Sequence, residues 1–188
     1  MFEHIRADTM RVHRKENRLS GLSVLNSLWI SYGLRALIIY RFGRWLGRVQ
    51  KQPLGWVIAA LFYPVYWLLF AFVRKAYGIN LDQSADIAPG FYINHFGGID
   101  VKNCRIGAGC NIQQQVKLGA NEIINGGLVI GEGVYIGVHA QICTTVNVGD
   151  GATIGSGAVV TRDIPPHCLV LGTPGRIVQQ DYDNRMFL

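Results

Sequence analysis

The sequence contains few cysteines, and their arrangement excludes several classes of protein. Four cysteines in 188 residues form no Cys-x-x-Cys pair and show no metal-ligand spacing. We therefore expect no metal, no disulfide framework and reduced thiols in the cytoplasm. The first twenty residues also lack the apolar run and cleavage site of a secretory signal, so no secretion is predicted.

Acidic residues are scarce up to position 77, where three Asp or Glu accompany twelve Lys or Arg. From 78 to 188, nine acidic residues accompany six basic ones. The net charge of +6 therefore combines +9 in the first part with −3 in the second. Because the basic residues of the first part alternate with apolar runs, an anionic lipid surface is a better predicted partner than nucleic acid.

One long stretch has no charged residue. We predict helices at 24–49 and 54–73. The second segment is uncharged, is long enough to cross a membrane and contains Pro64 near its middle. Basic residues flank both of its ends, so charge does not orient a span. Three arrangements are open: a basic hairpin on or partly in the membrane, helices buried against the rest of the protein, and a full span. The first fits the charge of +9 best, and we expect a peripheral or monotopic protein on the inner face of the cell membrane.

The second part of the chain repeats with a period of six residues. Aliphatic residues occupy every sixth position from 106 to 160, and small or apolar residues stand two positions earlier. Residues two apart on a strand face the same way, so both point inward, whereas a helix needs a spacing of 3.6. A period of six is typical of a parallel β-helix, with three hexads in each coil. The predicted inward aliphatic residues are Ile106, Ile112, Leu118, Ile124, Ile130, Ile136, Ile142, Val148, Ile154 and Val160.

Several segments carry a family resemblance. "IGEGVYIGVHAQI", "VGDGATIGSGAVV" and "IPPHCLVLGTPGRIV" resemble the hexapeptide-repeat acyltransferases, and "INHFGGID" with "QQVKLGA" resembles the serine acetyltransferase branch. The resemblance implies a left-handed β-helix, acetyl-CoA as donor, and a homotrimer with active sites between neighbouring subunits. We therefore predict a mainly β protein with a basic, membrane-associated helical region at 1–77 and a left-handed β-helix acyltransferase domain at 78–188.

The resemblance also implies a general base. His95 in "NHFGG" occupies the place of the family's catalytic histidine, and an imidazole with a pKa of about 6.5 can accept the proton of an attacking hydroxyl. The aspartate that orients this base in the family aligns with Asn80, so Asp82, two residues later, is the predicted substitute. Asn94 stands where the serine enzymes carry an acid that helps to hold the amino acid.

The resemblance also implies contacts with acetyl-CoA at five positions of this sequence. Gly119 and Ala120 match the two residues whose backbone amides lie near the thioester oxygen, an oxyanion-stabilising role. Val138 and Ser156 match positions that line the pantetheine groove between coils. Arg176 matches the basic residue of the exit segment and is expected to meet a CoA phosphate.

The predicted function is transfer of acetyl from acetyl-CoA to a sugar hydroxyl of an exopolysaccharide, a capsule or a lipid-linked intermediate, by direct attack in a ternary complex. Two features favour a sugar: the family positions that would pair with the charges of free serine are uncharged here, and the first part is membrane-seeking. Two alternatives stay open. One is a serine O-acetyltransferase, and the other is a catalytically inactive trimeric scaffold, which is compatible with Asn80 in place of the acid.

Overall fold

Three helices open the chain in the computed structural model, which describes residues 1–13, 31–120 and 127–188. They are α1 (Phe2–Val12), α2 (Tyr32–Val49) and α3 (Gly55–Tyr77). Ser31 is the N-cap of α2. Its hydroxyl accepts a hydrogen bond of 3.2 Å from the Leu34 amide, which satisfies one of the free backbone donors of the first turn. Positions 24–30 of the helix predicted there lie outside the described residues.

Short parallel strands follow and stack in three sheets, which form the faces of a prism. The first face contains β1 (Ile79–Leu81), β4 (Ile99–Val101), β7 (Lys117–Leu118) and β10 (Gln141–Ile142). The second face contains β2 (Asp86–Ile87), β5 (Cys104–Ile106), β8 (Leu128–Ile130) and β11 (Asn147–Val148). The third face contains β3 (Tyr92–Ile93), β6 (Asn111–Ile112), β9 (Tyr135–Ile136), β12 (Thr153–Ile154), β13 (Leu169–Leu171) and β14 (Arg176–Gln179).

The interior of the prism is the predicted aliphatic column. Every position of the six-residue series that the structure describes is buried, and each such side chain contributes about 1.5–3 kcal/mol through removal from water. Ile124 lies outside the described residues. The members described are Ile106, Ile112, Leu118, Ile130, Ile136, Ile142, Val148, Ile154 and Val160.

The coils differ in length, and the longest spacing between paired residues of the described strands is 24. Val129 pairs with Asn147, 18 residues later, as three hexads require, but Lys117 pairs with Gln141, 24 residues later. The spacing of 24 exceeds the regular spacing of 18 by one whole hexad, so the inward positions keep their phase on both sides. The sequence period therefore continues through the coil with this spacing although the strand register does not.

Helix α2 closes the first end of the prism. The Tyr40 hydroxyl donates a hydrogen bond of 2.7 Å to the Ala85 carbonyl and accepts one of 3.3 Å from the Ile87 amide. Gly33 lies directly on Ile93, and a Cβ at position 33 would be 2.6 Å from the Ile93 Cβ. The absence of a side chain at Gly33 lets the helix approach the first coil.

A buried ion pair connects α1 to α2 and to the first coil. The Arg41 Nε lies 3.1 Å from the Asp8 Oδ2, and both side chains are buried. Asp8 also accepts hydrogen bonds from the amides of Gly90 and Phe91, at 2.8 and 3.1 Å. Burial raises the pKa of Asp8 above its ordinary value, while Arg41 and the two amides oppose that rise.

The far end of the β-helix is closed by a reversal of direction. Strand β14 pairs antiparallel with β13, the last strand of the third face. The short 3₁₀ helix Arg185–Phe187 then returns to the third face, where the Asn111 amide donates a hydrogen bond of 2.7 Å to the Phe187 carbonyl.

Candidate functional site

His95 lies in an exposed turn between β3 and β4. Two glycines shape this turn with positive φ angles, 100° at Gly97 and 67° at Gly98, a backbone region that other residues rarely adopt. Gly97 is fixed on both sides, since its amide donates to the Tyr77 carbonyl and its carbonyl accepts from the Gln115 amide, both at 2.8 Å. The imidazole is therefore presented to solvent from a fixed backbone.

The His95 turn is the first of a stack of turns at the border between the third and first faces, which we name the His95 edge. The Gln115 amide bonds to Gly97, the His139 amide to the Gln114 carbonyl, and the Gly157 amide to the Val138 carbonyl. The predicted pantetheine positions Val138 and Ser156 lie on this same edge. The structure therefore brings three predicted site residues into one column: His95, Val138 and Ser156.

Asp82 lies at the opposite border of the first face. It follows Leu81, which pairs with Val101 at the end of β4, whereas the His95 turn precedes the start of β4. The Asp82 Oδ1 accepts a hydrogen bond of 2.8 Å from the Ser84 amide and shapes the turn into the second face. Within one chain, the predicted partner of His95 is at the other end of the strand.

Asn80 lies at the centre of β1, the first strand of the first face, and contacts a carboxylate that the sequence did not single out. Its Nδ2 donates a hydrogen bond of 2.6 Å to the Asp100 Oδ1 on the neighbouring strand. The Asp100 Oδ2 lies 3.1 Å from the Lys102 Nζ. The first face therefore carries an acid one coil away from the position where the family motif places it.

A cavity of about 300 Å³ opens on this face beside Asp100. Lys117 lies next to Asp100 on the adjacent strand, about 4.8 Å away in the hydrogen-bonding direction. The cavity thus combines one carboxylate with two ammonium groups and reaches the predicted thioester-binding residues. Its lining residues are Asp100, Lys102, Lys117, Gly119, Ala120 and Cys143.

Gly119 and Ala120 differ in what their backbones can offer a ligand. The Gly119 amide already donates a hydrogen bond of 2.9 Å to the Ile142 carbonyl, so it is engaged in the coil ladder. Gly119 has φ of +84°, and a Cβ at this position would overlap the Lys102 carbonyl. Of the predicted pair, Ala120 therefore holds the amide suited to an oxyanion, and the Asn103 side chain fixes its carbonyl at 3.0 Å.

Arg176 is exposed at the start of β14, where it pairs in register with Leu171. The Gly175 amide, one residue earlier, donates a hydrogen bond of 2.7 Å to the Val159 carbonyl. This contact fixes the exit segment on the last coil and leaves the guanidinium at the surface.

Asn94 belongs to a different cavity. Its amide donates a hydrogen bond of 2.8 Å to the Gln113 Oε1, and its Oδ1 accepts one of 3.3 Å from the Tyr92 hydroxyl. These side chains line a cavity of about 570 Å³ on the third face, together with Arg11 and His13 of the α1 end. This cavity is larger than the one on the first face, but it contains neither His95 nor the predicted thioester-binding residues.

Three site residues were missed by sequence reasoning: Asp100, Lys102 and Lys117. Asp100 stands next to the inward Ile99 at an outward strand position, which the six-residue pattern does identify. Its proximity to Lys117 depends on the register between β4 and β7, where paired residues are 17 apart rather than 18. The six-residue period of the sequence alone does not predict this offset of 17 between β4 and β7.

Comparisons with known proteins bear on this geometry. The family model described as "Bacterial transferase hexapeptide (six repeats)" matches residues 127–162. The serine acetyltransferase of Synechococcus elongatus is 28% identical over 183 residues, which cover 95% of this chain and 69% of that protein. The serine acetyltransferase of Salmonella typhimurium is 35% identical over 149 residues, covering 78% of this chain and 50% of that protein. The chain thus spans about half the length of the Salmonella relative.

Solved structures agree with the sequence comparisons. Vibrio cholerae serine acetyltransferase superposes with a TM-score of 0.74 and 29% identity, over 95% of this chain and 66% of that chain. The chain is similar to the hexapeptide-repeat transferases and, among them, to the serine acetyltransferases. The left-handed β-helix preceded by helices and the acyltransferase class, both predicted from the sequence, are confirmed.

The predicted sugar acceptor is wrong, and with it the assignment to polysaccharide biosynthesis. The relatives of this branch are named serine acetyltransferases, and a Neisseria gonorrhoeae structure with the same fold is described as a complex with serine. That structure has a TM-score of 0.73 and 22% identity, over 93% of this chain and 68% of that chain. The prediction failed because it considered charges only at the positions of the family motif, whereas Asp100, Lys102 and Lys117 carry charges elsewhere on the first face.

The similarity to serine acetyltransferases implies acetyl-CoA as the co-substrate. Within residues 1–13, 31–120 and 127–188, no group of three or more His, Cys, Asp and Glu side chains is placed to hold a metal ion. Three of the cysteines, Cys104, Cys110 and Cys168, are buried, and burial raises the pKa of the Cys104 thiol to about 12 and that of Cys110 to about 11. These two buried thiols are therefore protonated packing groups.

Proposed function

We propose that the protein is an acetyl-CoA-dependent O-acetyltransferase whose acceptor is L-serine. The observation that supports this proposal is the first-face cavity, where opposite charges stand beside Ala120, a predicted thioester-binding residue. A free amino acid carries one ammonium and one carboxylate, and a selective site for it needs a partner for each. A neutral sugar needs neither.

The cavity offers these two partners. Asp100 accepts one hydrogen bond from Asn80 and pairs with Lys102, and it keeps further acceptor capacity for an ammonium group. Lys117 makes no ion pair with any residue of the described chain, so its ammonium group is available to a carboxylate. Asp100 and Lys102 are each about 30% exposed in the free chain, and a bound substrate would exclude water from them and strengthen their attraction.

His95 is the proposed general base of the transfer. The serine hydroxyl oxygen forms a bond to the thioester carbonyl carbon, and the hydroxyl proton moves to a ring nitrogen of His95. When the tetrahedral intermediate collapses, the carbon–sulfur bond breaks, and the proton passes from the imidazolium to the CoA thiolate. The products are O-acetylserine and CoA. The Ala120 amide is the proposed donor to the oxyanion, a role worth about 3 kcal/mol where such donors have been tested.

This chemistry requires a second copy of the chain. His95 lies at one border of the first face and Ala120 at the other, and His95 does not line the first-face cavity. We therefore propose a homotrimer in which the His95 edge of one copy faces the first-face cavity of the next. Val138 and Ser156, on the His95 edge, would then line the pantetheine arm of acetyl-CoA, and Arg176 would meet a CoA phosphate.

The test compares acceptors that differ by one charge. CoA release from acetyl-CoA is measured with L-serine, L-serine amide, 3-hydroxypropionate and a neutral sugar. L-Serine should be used at least tenfold more efficiently than either singly charged analogue, because each analogue leaves one charged group of the cavity unpaired. Equal use of L-serine and a neutral sugar would contradict the serine acceptor, and no CoA release with any acceptor would contradict the enzyme.

Two substitutions connect this selectivity to the cavity. Lys117→Met should raise the KM for L-serine about tenfold or more while leaving the KM for acetyl-CoA within about twofold, because only the acceptor loses an ionic partner. Asp100→Asn should do the same. Arg105→Met is the matched control, since Arg105 is exposed on the neighbouring second face and should leave both KM values unchanged. An unchanged KM for L-serine in Lys117→Met and Asp100→Asn would exclude the first-face cavity as the acceptor site.

A further inference from the structure

Helix α3 presents a long apolar face to solvent. Only 17% of its apolar stretch is buried, although its mean hydropathy of 2.0 is that of a membrane segment. Leu61 is 70% exposed, Leu68 72% and Trp67 60%. A soluble monomer rarely leaves so continuous an apolar surface uncovered, so this face marks an interaction site. The exposed large side chains of the face are Trp56, Val57, Ile58, Leu61, Phe62, Val65, Trp67, Leu68, Leu69 and Phe72.

The charges around this face identify its partner. Arg48 and Lys51 are exposed near the start of α3, and Arg74 and Lys75 are exposed near its end. No acidic residue occurs between positions 31 and 77. An apolar face bordered at both ends by cations, with tryptophans among its apolar residues, has the composition of a helix that lies in the interface of an anionic bilayer. We propose that α3 lies flat on an anionic lipid surface with this face in the headgroup–acyl boundary.

The opposite side of α3 explains why the helix lies on the membrane and does not cross it. Ala59, Tyr66 and Val73 recur every seven residues and are buried against the body of the protein. Gly43 of α2 lies so close to Tyr66 that a Cβ on it would overlap the tyrosine ring. Insertion across a bilayer would remove this buried stripe from its contacts along the whole length of the helix. It would also pull on Ile79, which begins the first strand and is fully buried.

A second copy of the chain fits this face less well. Both ends of α3 are basic, so two copies would bring like charges together whether their helices met in a parallel or an antiparallel arrangement. Like charges at close range cost free energy, most of all where water is excluded. An anionic lipid surface offers opposite charge at both ends and an apolar layer between them.

The structure separates the basic residues that stabilise the fold from those that can meet lipid. Arg41 is buried in its pair with Asp8, and Arg44 lies 2.6 Å from Asp86. These two arginines stabilise the helical region against the first coil. Lipid contact is therefore assigned to Arg48, Lys51, Arg74 and Lys75, which stand at the ends of the apolar face.

The experiment is flotation of the full-length protein with vesicles. The protein should float with vesicles that contain phosphatidylcholine and phosphatidylglycerol, and weakly with phosphatidylcholine alone. The double variant Leu61→Glu/Leu68→Glu should lose at least tenfold in partitioning, because two apolar contacts are replaced by charges. Val178→Glu/Met186→Glu is the matched control: it places the same two charges on exposed apolar residues outside α3 and should bind as the wild type does.

The charge contribution is tested separately. Arg74→Gln/Lys75→Gln should weaken binding to the anionic vesicles by roughly fivefold for each charge removed, which corresponds to about 1 kcal/mol per basic residue at an anionic surface. High salt should weaken wild-type binding in the same direction. Arg41→Gln is unsuitable here, because Arg41 stabilises the fold.

Three results would overturn the proposal. Equal flotation of the wild type and Leu61→Glu/Leu68→Glu would exclude the α3 face. Assemblies that form without lipid and dissociate in Leu61→Glu/Leu68→Glu, with no vesicle binding by the wild type, would assign the face to a second copy. Resistance of the membrane-bound protein to alkaline extraction would indicate a helix that spans the bilayer.

Discussion

At the scale of single residues, His95 combines a fixed backbone with a free imidazole. The backbone hydrogen bonds of Gly97 hold the turn to Tyr77 on one side and Gln115 on the other. Within the described part of the chain, no side chain forms a hydrogen bond or ion pair with His95. The proposed base therefore costs little entropy to position, and its ring is available to the acceptor in the proposed site of a neighbouring copy.

Replacement of His95 gives a prediction at the scale of single residues. His95→Asn should lower kcat by about 10²-fold or more and leave the KM for L-serine nearly unchanged, because proton transfer is lost while the charged contacts of the cavity stay. The measurement is steady-state CoA release. His139→Asn is the control, since His139 is exposed on the same edge two coils further along and should retain wild-type activity. Near-normal turnover in His95→Asn would remove this residue from the mechanism.

The site was only partly predictable from sequence, and the cavity residues show why. His95, Gly119 and Ala120 lie in motifs whose local pattern is visible in the chain. Asp100 and Lys117 become neighbours only because β4 and β7 pair with an offset of 17 residues, which depends on how the turns between hexads are built. Likewise, the engagement of the Gly119 amide by Ile142 follows from the 24-residue coil. Register is a tertiary property that a local period does not specify.

At the scale of elements, the helices show what pattern can and cannot predict. Length, hydropathy and flanking charge predicted α3, and the structure contains a helix at Gly55–Tyr77 that continues through Pro64. Which side of α3 is buried depends on contacts such as Gly43 with Tyr66, and these require the three-dimensional arrangement of both helices. For the same reason, the sequence could not show that Arg41 is buried in an ion pair whereas Arg48 is exposed. Both residues follow the same basic pattern in the sequence.

The buried pair of Asp8 and Arg41 gives an element-scale prediction. Arg41→Met should lower the free energy of unfolding by about 3–5 kcal/mol, because it leaves the Asp8 carboxylate buried without its counter-ion. The double variant Asp8→Leu/Arg41→Met should recover part of this loss. Chemical denaturation of the three proteins measures both quantities. If Arg41→Met were as stable as the wild type, α1 would not be held to the first coil by this pair.

The pH dependence of Arg41→Met follows from the same contact. Burial already raises the pKa of Asp8, and removal of Arg41 takes away the main opposing charge. A raised pKa in the folded state favours the protonated acid there, so its stabilising contribution is present at low pH and is lost as the pH rises through that pKa. The stability deficit of Arg41→Met relative to the wild type should therefore be smaller at pH 4 than at pH 7.

At the scale of the whole molecule, the proposed base and the proposed acceptor cavity lie at opposite borders of the first face, so the proposed active site is shared between two copies. This leads to a complementation prediction. His95→Asn lacks the base and Lys117→Met lacks the acceptor contact, but a trimer that contains both chains can combine an intact base with an intact cavity. Co-expressed at equal levels, the two variants should assemble with about one quarter of their sites complete if the copies mix at random. Acceptor turnover at low L-serine should then exceed that of either variant alone.

The control is a mixture of the same variants purified separately and not allowed to exchange, which should show no recovery. Absence of recovery in the co-expressed protein, with mixed assemblies verified by mass, would place the base and the cavity in one chain. Either result is interpretable because neither substitution lies in the aliphatic column.

The two closed ends of the β-helix bear on how the protein avoids forming fibres. Stacked parallel strands leave unpaired backbone donors and acceptors at each end, which in principle can recruit another molecule and grow without limit. Here α2 covers the first coil, and β14 turns back on the last strand of the third face. Deletion of either cover would therefore convert a finite particle into a potential seed for end-to-end polymerisation.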